Sequence, residues 1–213
     1  MKSKKIVKSL NIAIIVISVL VIIAGGYNLY TVLTGKNVAS AEKDDSIKNE
    51  YYIVGRTPTE YQVENFKKLT DELNKDTRND ALISELVVRA FIIDFFTWSN
   101  KKGAWDIGGQ QYVYNYGMFN VQASHEYYAY IDVFIEKYGA ENLPEVISVT
   151  TTTPSQSSET VDEKTYEGYY MEATWEYKEN DVLDASQFQT HGYFQVIILE
   201  SGKYEIVWFF DEW

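Results

Sequence analysis

The chain has 213 residues, 15% of them aromatic, and no cysteine. Its length and aromatic content suit one sizeable domain plus an appendage, and the missing thiols exclude disulfides, thiol catalysis and thiolate metal sites. The formal net charge is −12, and because residues 1–36 hold five lysines and no acid, the remainder carries −17; a domain so acidic disfavours direct nucleic-acid binding and points to proteins, cations or neutral ligands.

Lys2, Lys4, Lys5 and Lys8 precede residues 10–33, LNIAIIVISVLVIIAGGYNLYTVL, where 24 consecutive positions from Leu10 to Leu33 carry no charge. A helix of that length extends about 36 Å, enough to cross a hydrocarbon core with some tilt. Basic residues before it and Glu42, Asp44 and Asp45 after it predict a cytoplasmic N-terminus and an outer acidic domain. The triplet Ala39-Ser40-Ala41 offers the alternative of a signal-peptidase site. The most apolar stretch ends near Ala24, too far upstream for ordinary cleavage, so an uncleaved single-pass anchor is preferred.

Residues 1–9 then form a basic tail, 34–56 a polar juxtamembrane linker, and 57–213 the extracytoplasmic domain. Thr57 as cap, Pro58 in the first turn and Glu60 open a first helix whose stripe is Tyr61, Phe66, Leu69 and Leu73. A second, far more apolar helix is predicted over about 77–98 and should be central. SNKKGAWDIGGQ breaks it through Gly103 and the pair Gly108-Gly109. QQYVY follows as a short strand. NVQASHEYYAYIDVFIEKYG reads as a third helix, with Tyr127, Ile131, Phe134 and Tyr138 on one face and Gly139 at its stop.

Beyond Pro144 the period becomes two. EVISVTTTT, YYMEATWEYK, GYFQVIIL and KYEIVWFF are strands, the last two joined by a hairpin at Ser201-Gly202. PSQSSETVDEKT, between the first two, reads as a mobile polar connection. Helices followed by an antiparallel meander predict an α+β domain, with three helices over one face of a curved four-stranded sheet.

Within RAFIIDFFTWSN, Asp94 stands alone among large apolar residues, and a 100° projection puts it on the face of Ile83, Val87, Ala90, Phe91 and Trp98. A buried carboxylate must neutralise or collect hydrogen bonds. It could be a general base in an apolar pocket. The preferred reading is structural: Asp94 accepts from backbone amides of the turn at 106–109, or from a Tyr or Trp, and pins that loop to the helix, since no partner set for catalysis accompanies it.

His125 and His191 lack zinc spacing, no serine has a nucleophile-elbow context, and Gly108-Gly109 falls short of a phosphate loop. No catalytic, metal or cofactor residue is therefore assigned. Asp94, Trp105, Asp106, Gly108 and Gly109 remain as structural or interaction candidates. Trp105, in the turn KKGAWDIGG, is the first residue to test for a partner surface, although contact with its own domain is the more ordinary fate.

The order of basic tail KSKK, span 10–33, linker, three helices and antiparallel meander resembles the single-pass scaffold protein of type IV secretion and conjugative transfer channels. The resemblance implies a nuclear-transport-factor-2-like outer domain and a Gram-positive setting. It also implies a non-enzymatic role, in which that domain associates with itself and with other channel proteins at the cell membrane. The same fold class holds isomerases, dehydratases and small-ligand binders, so a surface-exposed module for a small or cell-wall ligand stands as the alternative.

Overall fold

The computed structural model of the chain describes residues 47–55 and 57–210; the expected tail, span and cleavage triplet lie outside them. Among the described residues no helix is long and apolar enough to cross a membrane.

Helix α1 (Glu60–Leu73) starts after Thr59, whose side chain accepts the Gln62 N–H at 3.2 Å. Thr57, expected as the cap, is instead tied to Asn100, which donates to the Thr57 carbonyl at 3.1 Å. Helix α2 (Asp80–Phe96) is capped by Asn79 and buries residues on every side, as its sequence predicts for a central element. It packs on α1 and on the sheet. Asn65 of α1 donates to the Leu86 carbonyl at 3.1 Å, and Arg89 reaches across to the Val149 carbonyl at 2.6 Å.

The third expected helix is two. Helix α3 (Tyr116–Glu126) ends where the Tyr127 and Tyr128 amides both donate to the Ala123 carbonyl, and helix α4 (Ile131–Tyr138) begins after Tyr130. The break sends Tyr128, fully buried, inward, where its hydroxyl donates to the Phe95 carbonyl at 2.7 Å. That carbonyl lies in the last turn of α2, where no helical partner remains. The expected strand at QQYVY is a 3-10 turn, Gln110–Tyr112, after which Val113 makes one parallel bridge to Ile206.

The sheet has five antiparallel strands instead of four: β1 (Val146–Thr151), β2 (Ser155–Val161), β3 (Lys164–Tyr177), β4 (His191–Ile198) and β5 (Tyr204–Phe210). Their order is β1-β3-β4-β5, with β2 also paired to β3. The connection predicted to be mobile is thus β2. It shows no apolar alternation because neither of its faces reaches the core; backbone pairing to β3 and polar side-chain bonds such as Ser157 to Gln195 and Thr160 to Thr165 specify it. β1 occupies the second half of β3 and β2 the first, which is why β3 needs 14 residues. Asp162 and Glu163, both with positive φ, make the tight β2–β3 turn.

The sheet curls. Tyr114, whose amide is bonded to β5 at Ile206, reaches the β2–β3 turn and donates to Asp162 at 2.9 Å. Inside the curl, Phe91, Phe95, Phe119, Phe194 and Phe209 meet with ring centroids 5.1–6.4 Å apart and fill the space between α2 and the sheet.

The end of the expected linker, residues 47–55, belongs to the folded unit. Tyr52 and Val54 are buried, and the Tyr52 hydroxyl serves both the amide and the carbonyl of Tyr204, at 3.1 and 2.6 Å.

Candidate functional site

Four of the five candidate residues, Asp94, Trp105, Asp106 and Gly108, line one cleft of about 500 Å³ between the start of α1, the C-terminal turn of α2 and the loop after it, and Gly109 adjoins the cleft through its bond to Asp94. Asp94 sits at its floor. The side chain is 20% exposed, so it faces the cleft margin and not the sealed interior that the helical projection indicated. Helix α2 is buried all round, and no single face of it defines the core.

Asp94 has the partner set that its sequence neighbourhood did not reveal. Its Oδ2 accepts the Gly109 amide at 2.7 Å, and its Oδ1 accepts Lys101 Nζ at 2.8 Å and Gln62 Nε2 at 3.1 Å. The Lys101 side chain is only 6% exposed. Burial pushes the Asp94 carboxyl upward, but the Lys101 ammonium and the hydrogen bonds from Gly109 and Gln62 outweigh it and hold the group below the ordinary aspartate value.

The glycine pair is required by packing. A Cβ on Gly108 would collide with the backbone carbonyl of Asp94, and Gly109, at φ 75°, would bring one to 2.8 Å from the Phe91 ring. The Gly108 amide donates to the Tyr128 hydroxyl at 3.1 Å, so that hydroxyl links the loop to the end of α2. Asp106 accepts the Lys102 amide at 3.0 Å and closes the preceding turn. Trp105, for which contact with its own domain was expected, is 72% exposed on the cleft rim. Asn100 also lines the cleft, and its Oδ1 is buried without a hydrogen-bond partner.

Lys101, Gln62 and Tyr128 were missed because their roles depend on contacts between elements. The one hint was compositional: a lone carboxylate in an apolar helix calls for a cation, and Lys101 and Lys102 are the nearest downstream. The histidines are separate from this cleft. His191 pairs with Glu172 at 2.7 Å, and His125 is exposed on α3.

A second open space, of about 910 Å³, lies between α3, β5 and the β2–β3 turn. Helix α3 turns Phe119 and Ala123 inward and leaves Tyr116, Met118 and Val121 exposed by 62–73%. Met118 and Val121 line one wall of this groove, and Val161 and Val207 contribute to the others. Its charged residues are Glu126, Glu159 and Asp162, with no lysine or arginine. None of the three carboxylates is ion-paired among the described residues. Asp162 accepts the Tyr114 hydroxyl and thereby pushes that phenol up to about 12. The sequence signal was present in YGMFNVQ, where Met118 and Val121 lie off any single inward stripe.

Comparison of the chain with protein-family models, with curated proteins and with solved structures finds no match. Its function is therefore inferred from its own residues.

Proposed function

We propose that this chain is a membrane-tethered, non-enzymatic interaction protein. Residues 10–33 hold an acidic domain of the nuclear-transport-factor-2-like type on the outer side of the cell membrane, where it assembles with other envelope proteins and with itself. The supporting observation is the state of Asp94. A general base needs a lone pair directed at substrate and a pKa close to the working pH. Here Gly109, Lys101 and Gln62 occupy the carboxylate, and its pKa is lowered. The group acts as a fastening between loop and helix.

The finer form of the proposal is a scaffold component of a Gram-positive conjugative transfer channel. It is supported by the order of parts: basic tail, uncharged stretch, helices, then antiparallel meander. A second reading, a small ligand held in the Asp94 cleft, is favoured by the unpartnered Asn100 Oδ1 and by exposed Trp105 on the rim.

Protease added to intact cells should remove the domain. Because the chain has no cysteine of its own, single-cysteine variants at exposed positions should crosslink cleanly to envelope proteins. Cleavage seen only after lysis overturns the outer placement. Turnover of an identified substrate, abolished in a folded Asp94→Asn protein, overturns the non-enzymatic role. A small molecule that copurifies with the chain and is lost from Trp105→Ala selects the second reading.

A further inference from the structure

We infer that the groove between α3, β5 and the β2–β3 turn docks an extended partner segment that carries lysine or arginine among apolar residues. The inference rests on the interaction role proposed above and names the chemistry of the partner.

Three observations converge on it. The wall of α3 keeps Met118 and Val121 in solvent, at 73% and 62% exposure, beside a groove whose other walls include Val161 and Val207. Contiguous exposed apolar surface rimmed by polar residues is a mark of a docking site. The rim is of one sign: Glu126, Glu159 and Asp162 lack a cationic partner among the described residues. A bound segment bearing cations would supply the missing charge.

The third observation is the strand edge. β5 ends the strand order; its outer edge is met by the Tyr52 hydroxyl at Tyr204 and by Val113 and Tyr114 at Ile206, and the groove flanks the part of the strand beyond them. Beyond Ile206 an extended segment can lie beside the strand with alternate side chains entering the groove. The turn that presents Asp162 is held in place by Tyr114, with two non-glycine residues at positive φ. Such geometry persists where surrounding contacts enforce it. A second copy of this chain is disfavoured as occupant of this groove, because residues beyond 36 carry −17 and offer few cations to a rim of Glu126, Glu159 and Asp162; self-association would use other faces.

The test uses the full chain in nanodiscs of zwitterionic lipid, with empty discs as the blank. The probes are short fluorescent peptides alternating leucine with lysine, or leucine with glutamate, read by anisotropy. The lysine peptide should bind saturably and the glutamate peptide should not. The double variant E159Q/D162N should weaken binding about tenfold at low salt, the scale of two exposed ion pairs. Val121→Asp should weaken it at least as much.

These variants leave the fold in place. Asparagine tolerates the left-handed backbone at 162, glutamine keeps an acceptor for Trp208, and Val121 is exposed. The control E176Q/E179Q, at exposed positions away from the groove, should bind as the parent does. Unchanged affinity in E159Q/D162N, or an equal loss in E176Q/E179Q, overturns the inference by reducing it to general attraction to an acidic protein. Self-association that Val121→Asp abolishes also overturns it, in favour of a second copy. Each of these failures removes only this groove, since membrane tethering and partner assembly are tested separately by protease access and crosslinking.

Discussion

Replacing Asp94 by asparagine keeps the shape of the side chain and removes its charge. One amide oxygen can still accept the Gly109 amide, but Lys101, 6% exposed, loses the anion 2.8 Å away. Breaking a buried ion pair from one side costs about 3–5 kcal/mol, and the 20% exposure of Asp94 puts this case near the lower end, about 3 kcal/mol. In a Lys101→Met background the same change should cost only about 1 kcal/mol, a coupling of about 2 kcal/mol between the two positions.

The pH dependence has a definite sign. The folded carboxyl titrates below its unfolded value, so its contribution is complete above the unfolded pKa and is lost as pH falls through the folded one. The stability gap between parent and Asp94→Asn should therefore be flat near neutrality and close below about pH 4. Denaturant unfolding of the full chain in nanodiscs, followed by tryptophan fluorescence, measures it. All five tryptophans lie beyond residue 97, so the signal reports on the folded domain. A cost of about 0.5 kcal/mol or less, equal in both backgrounds, or a gap that does not change with pH, would refute the fastening role.

Gly108→Ala should destabilise by about 1–3 kcal/mol, because the new methyl meets the Asp94 carbonyl and backbone must shift; thermal unfolding reads it. Tyr128→Phe leaves the Gly108 amide and the Phe95 carbonyl without their shared hydroxyl, at a cost of about 1–3 kcal/mol, and should speed hydrogen exchange at the Gly108 amide. In an Asp162→Asn protein the Tyr114 phenol should fall from about 12 toward the ordinary tyrosine value, seen in an ultraviolet titration as one phenol ionising earlier.

Sequence pattern carried furthest where one element meets one environment. Helix α2 carries buried apolar residues on every side, which is what a helix packed between α1 and a sheet requires, and its central place could be read directly. The period-two stretches in β3, β4 and β5 were legible for the same reason, and Gly202, at φ 80°, turns the last hairpin. Asp94 could be recognised as a carboxylate in need of donors, and the Gly109 amide in the expected turn is one of them. The other donors could not be read, since Lys101 and Gln62 look like ordinary surface residues until the loop and α1 converge on α2.

Composition and periodicity by themselves determined the α+β class, the central helix, the acidic character of the domain and the uncharged stretch over residues 10–33. Only the tertiary structure decided that a polar segment becomes strand β2, that the third helix breaks so that Tyr128 can enter the core, and that Asp94 is closed by a lysine while the α3 groove stays open. The physical reason is common to all three. Each outcome depends on hydrogen-bonding and ionic partners brought from distant parts of the chain, and a local hydrophobic pattern contains no information about them.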